Sequence, residues 1–461
     1  MREEVLNSKP SVKSVDLPRV LGVWDVISII VGGVIGSGIF IVPATVALNV
    51  GSPWLIIAVW LFGGLLCLFG ALAFGELAAM YPQAGGMYIY LREAYGSLLS
   101  FLFGWTLFLV IDSGAIATLA VAFSSKYLPH FFPNLSMVTT KLIAVGLIIF
   151  LAMVNYLGVR WGALLQNFLT LIKFGAILAI CAIVFSVAKG NLANWVEPSP
   201  TFSFDLIGNF GLALVATLWA YKGWESSTFS AGEVKNPQKN LPLGLLAGTL
   251  IVIAIYLLAN LAYLYAFPSD QMAKSDRIAA DVMNFAVGAW GASLISLIIL
   301  FSITGAANQN LLCSPRVYFA MARDGLFFKQ VAAVHPRFLT PHVSIIIMAI
   351  WSSILSLSGT FEQLFTYVVF GQWLFFGLTV AAVIVLRKKK PERPRPYKTW
   401  GYPLTPIFFI LAALYISVNT LIKEFWNSFA GLAIISLGIP AYFFWHRRRQ
   451  GYIKGKEDLF S

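Results

Sequence analysis

The sequence predicts an all-α protein that crosses a membrane many times, and three observations carry that reading. Only 11% of the 461 residues are charged while 59% are hydrophobic, against about 25% charged in an ordinary soluble domain. Uncharged runs such as Trp54–Gly75, Leu243–Phe267 and Gly291–Leu312 reach or exceed the roughly 20 residues that span a hydrocarbon core. The Lys and Arg residues fall in short clusters between those runs, so the net charge of +12 reads as membrane topology. A nucleic-acid surface would need a basic domain with interleaved aromatics.

Twelve spans are expected in order, at 23–50, 53–79, 95–125, 139–157, 163–188, 207–232, 243–267, 283–313, 342–358, 363–386, 402–421 and 426–445. With the N-terminus inside, inner segments collect 24 of the 32 Lys and Arg residues, outer loops hold 6, and Lys173 and Lys222 lie within spans. The positive-inside rule then puts both ends in the cytoplasm. Met1–Leu21 carries charges throughout and lacks a small-residue cleavage site, so the first span is expected to stay in a bacterial cytoplasmic membrane. Cys67, Cys181 and Cys313 sit inside apolar spans, and His130, His335, His342 and His446 sit in loops or at span ends. Neither set has metal-ligand spacing, and no cofactor is expected.

Residues 1–22 and 446–461 are read as cytoplasmic tails, 23–188 as a first group of five spans and 207–386 as a second. The basic loop 387–401 and spans at 402–445 complete the chain. Five is odd, so the second group enters the membrane inverted, as transporter repeats do. The loop sequence RKKKPERPRPYK suits an extended connector beside anionic headgroups.

Breaks and charges inside the membrane carry the chemistry. Span one contains VGGVIGSGIF at 31–40; each Gly costs roughly 1 kcal/mol against Ala in a helix. This stretch suits either close GxxxG packing or an unwound segment whose free amides face a cavity. A dinucleotide loop is excluded, because no strand precedes it and the third glycine is absent. Span six holds Lys222 and Glu225 within WAYKGWES. Charges at mid-membrane cost about 2.5–3.5 kcal/mol each on insertion scales, so both should face the interior, as a mutual pair or as functional groups. Interrupted spans at corresponding places in two halves mark a transporter's binding site. Half-helix N-termini favour a carboxylate and C-termini an ammonium group, which together fit an α-amino acid.

An intramembrane enzyme would need a nucleophile with its base or a metal cluster, and Ser37 has no nearby His; no catalytic residue is assigned. A channel would need a ring of like charges or a repeated filter. A receptor that binds amino acid without moving it stays open.

The runs VGGVIGSGIF and GELAAMYPQAGGMYIYLREAYG (75–96) resemble the amino acid–polyamine–organocation transporter superfamily. KYLPHFFP, QNFLTLIKFGAI, WAYKGWES, NPQKNLPLG and SPRVYFAMARDGLFF are similar to its L-type amino acid transporter branch. The resemblance implies a LeuT-like core of five plus five inverted helices with spans one and six broken, two further helices, and alternating access. It implies that amides of Ile35, Gly36, Ser37 and Gly38 hold the substrate carboxylate and carbonyls near Val34, Trp219 and Ala220 the amino group. Trp219 would close over the substrate, Ala115 would approach its side chain, and Asn308 joins the binding set. Lys173 aligns with a lysine that stands in for a sodium ion, implying sodium-independent transport, as a fixed cation or a titrating group. Glu76 and Arg92 are assigned to the inner gate.

Lys222 and Asp112 depart from the branch, and a contact between them, extended to Glu225, is expected. If their charges cancel, neutral amino acids are the expected substrates; a free Lys222 would suit acidic substrates; a titrating Glu225 or Asp112 would couple protons. The branch favours exchange of neutral L-amino acids, with proton symport as the alternative. Animal members bind a glycoprotein subunit through a cysteine after span three. That loop here reads FFPNLSMV, so no disulfide-linked heavy subunit is expected.

Overall fold

The computed structural model describes residues 17–187, 190–196, 203–358, 361–423 and 425–457. The expected tails up to residue 16 and from 458, together with Lys189, lie outside those residues. The apolar runs form helices α1 (Val23–Val34), α2 (Gly38–Val50), α3 (Pro53–Met80), α4 (Met87–Tyr95), α5 (Ser97–Thr106) and α6 (Asp112–Val121). They continue as α7 (Met137–Tyr156), α8 (Val159–Val187), α9 (Phe204–Ala220), α10 (Pro237–Ala266), α11 (Ser269–Met272) and α12 (Ile278–Val287). The remainder are α13 (Ala289–Cys313), α14 (Pro315–Arg323), α15 (His342–Ser358), α16 (Phe361–Lys389), α17 (Leu404–Lys423) and α18 (Phe425–Glu457).

Among the described residues, nine helices are long and apolar enough to cross a membrane, and α1 with α2 makes a tenth span bent by 47°. The difference from twelve lies in short helices. The sixth expected span stops at Ala220 as an apolar helix and continues as a 3-10 segment, Ser226–Glu233, and the ninth, α15, has 17 residues. The eighth starts at Ala289, because Gly288 (φ +81°) turns the chain between α12 and α13.

Packing joins each of the first four spans to the one five places later. α2 lies against α9, α3 along α10, α6 against α13 and α7 against α15. These contacts match an internal pseudo-two-fold arrangement. Helices α17 and α18 add to one side, through α16, α3 and α5.

Two clusters of charge close one end of the bundle. Arg92 donates to Asp324 at 2.5 Å, and the Tyr88 hydroxyl donates to the same oxygen at 2.7 Å. The basic loop differs from the extended connector expected of it. Arg387 donates to both oxygens of the buried Glu76 at 2.9 and 2.6 Å, and Thr399 N–H donates to that carboxylate at 2.8 Å. Lys390 pairs with Glu93 at 2.6 Å, and Arg393 stacks over Tyr81. Carboxylates at the ends of α3 and α4 thus draw the loop back onto the protein, leaving it compact.

Deeper still, Arg316 and Glu233 are both fully buried and form a two-point pair, Nε to Oε2 at 2.6 Å and Nη2 to Oε1 at 2.9 Å. The carbonyl of Glu233 accepts from Val20 and Leu21 N–H, tying the entry of α1 to the exit of the broken sixth span. Removing one partner strands a buried charge, at a cost of about 3–5 kcal/mol. Glu233→Ala is therefore expected to lower thermal stability in detergent by that amount, measured as loss of monodisperse protein on heating; an unchanged melting profile contradicts this role.

Candidate substrate site

Between Val34 and Gly38 the helix ends and restarts, and its exposed carbonyls need partners that hydrocarbon does not supply. Lys173, fully buried on α8, donates to the carbonyls of Gly32 at 2.5 Å and Ile35 at 2.9 Å. Ser302 on α13 donates a further bond to Ile35 at 2.9 Å. Three-residue spacing along α8 extends the ladder, with Thr170 donating to the Ser28 carbonyl and Asn167 to Asp25.

The break after Ala220 meets this one directly. A Cβ on Gly38 would stand 2.7 Å from the Cβ of Ala220, and one on Gly223 would stand 3.0 Å from the carbonyl carbon of Gly33. Gly223 also holds φ +119°, open to glycine and strained for other residues. Tyr256 on α10 places its hydroxyl 2.9 Å from the Val34 carbonyl and 3.0 Å from that of Ala220. The Val34 carbonyl also accepts from Gly36 N–H at 2.7 Å, so of the two it is the Ala220 carbonyl that keeps accepting capacity. Gln309 on α13 donates to the Gly223 carbonyl at 3.1 Å.

These segments meet around a small cavity of about 70 Å³. Val34, Gly36, Ser37, Gly38, Ala115, Trp219, Ala220 and Lys222 line it, together with Gly33, Thr118, Leu119, Gly223, Ala306, Gln309 and Asn310. The first amides of α2 and the last carbonyls of α1 and α9 point to one space, the former suited to an anion and the latter to a cation.

Not every residue singled out in the sequence lies on this wall. Ile35 has a buried side chain and contributes its carbonyl to Lys173. Asn308 is buried away from the cavity, donating to Gln166 at 2.9 Å and accepting from Asn155 at 2.9 Å. Helical rotation explains this, since 306, 309 and 310 share the inner face and 308 turns toward α7 and α8. Asp112 stands just behind the wall, 3.5 Å from Lys222, and accepts from Ser314 at 2.5 Å. Glu225 accepts from Gly223 N–H at 3.2 Å and from Gln372 at 2.8 Å. Tyr256 and Gln309 escaped sequence reasoning, because a single Tyr or Gln in an apolar run has no local pattern that reveals its partner.

Residues 21–437 match the family profile described as Amino acid permease. The chain belongs to the amino acid permease family. This permease therefore shares the LeuT-like fold of membrane transporters, with which its paired spans and broken helices agree. It is 32% identical to the serine/threonine exchanger SteT of Bacillus subtilis, over 94% of this chain and 98% of that one. It is 32% identical to the mouse b(0,+)-type amino acid transporter 1, over 96% and 91%. Identity to the human cystine/glutamate transporter is likewise 32%, over 94% and 86%.

Close approach at the crossing of the breaks leaves no space for a side chain on Gly38. Gly38→Ala in this permease is expected to reduce amino-acid uptake on the order of tenfold or more, since small misplacements of binding groups are costly, with elution on size exclusion unchanged. Wild-type uptake in that variant contradicts the proposed contact between breaks.

Proposed function

We propose that this permease exchanges small neutral L-amino acids across a cell membrane, without sodium, by alternating access to the cavity between its two breaks. The observation that carries the reading is the convergence of α2 amides with α1 and α9 carbonyls on a cavity whose one lining charge, among the described residues, is Lys222 opposite Asp112. The α-carboxylate is assigned to the amides of Ser37 and Gly38 and the ammonium group to the carbonyl of Ala220, with the Gly36 N–H and the Val34 carbonyl, bonded to each other at 2.7 Å in this structure, joining them once that bond opens. Trp219 covers the substrate, while Ala115, Thr118 and Leu119 meet its side chain. A compensated Lys222 favours a neutral side chain, in keeping with the serine/threonine exchanger among the relatives.

Lys173 supplies a fixed positive charge at the first break, which supports sodium independence. Both termini are assigned to the cytoplasmic side, which puts the Glu76–Arg387 and Arg92–Asp324 pairs at the inner gate. All three cysteines are buried, on α3, α8 and α13, which supports operation without a disulfide-linked subunit.

Proteoliposomes test this directly. Labelled serine, alanine or leucine should enter vesicles preloaded with unlabelled amino acid and not empty ones, equally in sodium and choline media. Entry into empty vesicles that tracks an inward proton gradient would replace exchange by proton symport. Saturable binding without flux would make the protein a receptor.

A further inference from the structure

Lys222 is half of an asymmetric pair. Its side chain lines the cavity and is 16% exposed, whereas Asp112 is 2% exposed and does not line it. Their closest atoms, Nζ and Oδ1, are 3.5 Å apart, longer than the 2.7–2.9 Å of a close charge-assisted hydrogen bond. Lys222 thus donates one long bond to Asp112, which cancels charge while leaving the other two ammonium donors available toward the cavity.

The placement of Asp112 arises from local backbone geometry. Leu107–Ile111 is a π-helical turn, and its extra residue rotates α6 relative to α5. Asp112 comes directly after it and is held by the fully buried Ser314 hydroxyl at the end of α13. Other charges nearby have their own partners. Glu225 is held by Gly223 and Gln372, Lys173 by the carbonyls of Gly32 and Ile35, and neither lines the cavity. Glu225 still acts electrostatically on both Lys222 and Asp112, so the charge a substrate side chain meets is that of Lys222 set against these carboxylates, of which Asp112 is the one in contact with it.

We propose that Asp112 determines specificity from behind the wall, masking Lys222 so that the side-chain end of the cavity accepts neutral amino acids and discriminates against both acidic and basic ones. This rests on the assignment of the cavity to an amino acid. Removing either charge alone should open the site to the opposite class: an acidic side chain toward an unmasked Lys222, a basic one toward an unmatched Asp112. Asp112 would act as a positioning residue, through Lys222, without touching the substrate.

The test is exchange of labelled alanine, glutamate and lysine in preloaded vesicles by wild type, Asp112→Asn, Lys222→Gln and the double variant. Asp112→Asn should raise the glutamate-to-alanine ratio about tenfold or more, and Lys222→Gln the lysine-to-alanine ratio similarly, as expected for charge complementarity in a desolvated site. The double variant should return to the wild-type ratios. A ratio is independent of how much protein folds, so a purely structural pair would leave it unchanged. Should one single-charge variant fail to fold, the other and the double variant carry the comparison. Wild type that takes alanine, with wild-type ratios in the single variants, overturns the masking alone. Wild type that favours glutamate or lysine overturns both the masking and the neutral-substrate reading.

Discussion

A lysine ammonium on the open carbonyls of a broken helix is the interaction on which this structure depends. Each unsatisfied backbone group within hydrocarbon costs several kcal/mol, and a lone lysine at that depth carries a cost of its own. Lys173 with Gly32 and Ile35 lets the two deficits offset each other. The break can then stay open and leave the amides at the start of α2 for a ligand. Ser302 and the polar rungs below it extend the same attachment along α8 and α13.

The second break is built against the first. Gly33 and Gly223 lie in near contact, Gly38 and Ala220 likewise, and Tyr256 bridges a carbonyl of each. Packed interiors have little free volume to absorb displacement, so a shift at one break is transmitted to the other. Alternating access, as proposed for this permease, requires such coupling. The short parallel bridge between Leu21 and Val234 joins the remote ends of the same two segments, and the Arg316–Glu233 pair ties the second of them to α14.

Much of this was legible in the sequence, for physical reasons. Four glycines in seven positions and a Lys and Glu inside apolar runs are local anomalies in a membrane helix, and the breaks sit at or beside them. The cavity wall was legible too, apart from the angle at which each residue faces. Asn308 shows the limit: it sits one residue from Gln309, yet faces α7 and α8, and which face of α13 turns inward is set by packing. Tyr256 and Gln309 act through partners far away in sequence, so no spacing identifies them. The loop at 387–401 misled because its composition suits an extended chain, whereas the carboxylates of Glu76 and Glu93 that fold it back lie some three hundred residues earlier.

The most direct measurement is hydrogen–deuterium exchange across Val31–Phe40, comparing wild type with Lys173→Met. If the ammonium holds the break, amides from Gly32 to Gly38 should exchange faster in the variant while those of α3 and α10 keep their protection. Equal protection of that stretch in both proteins would contradict the account, because the break would then be held by packing and not by Lys173.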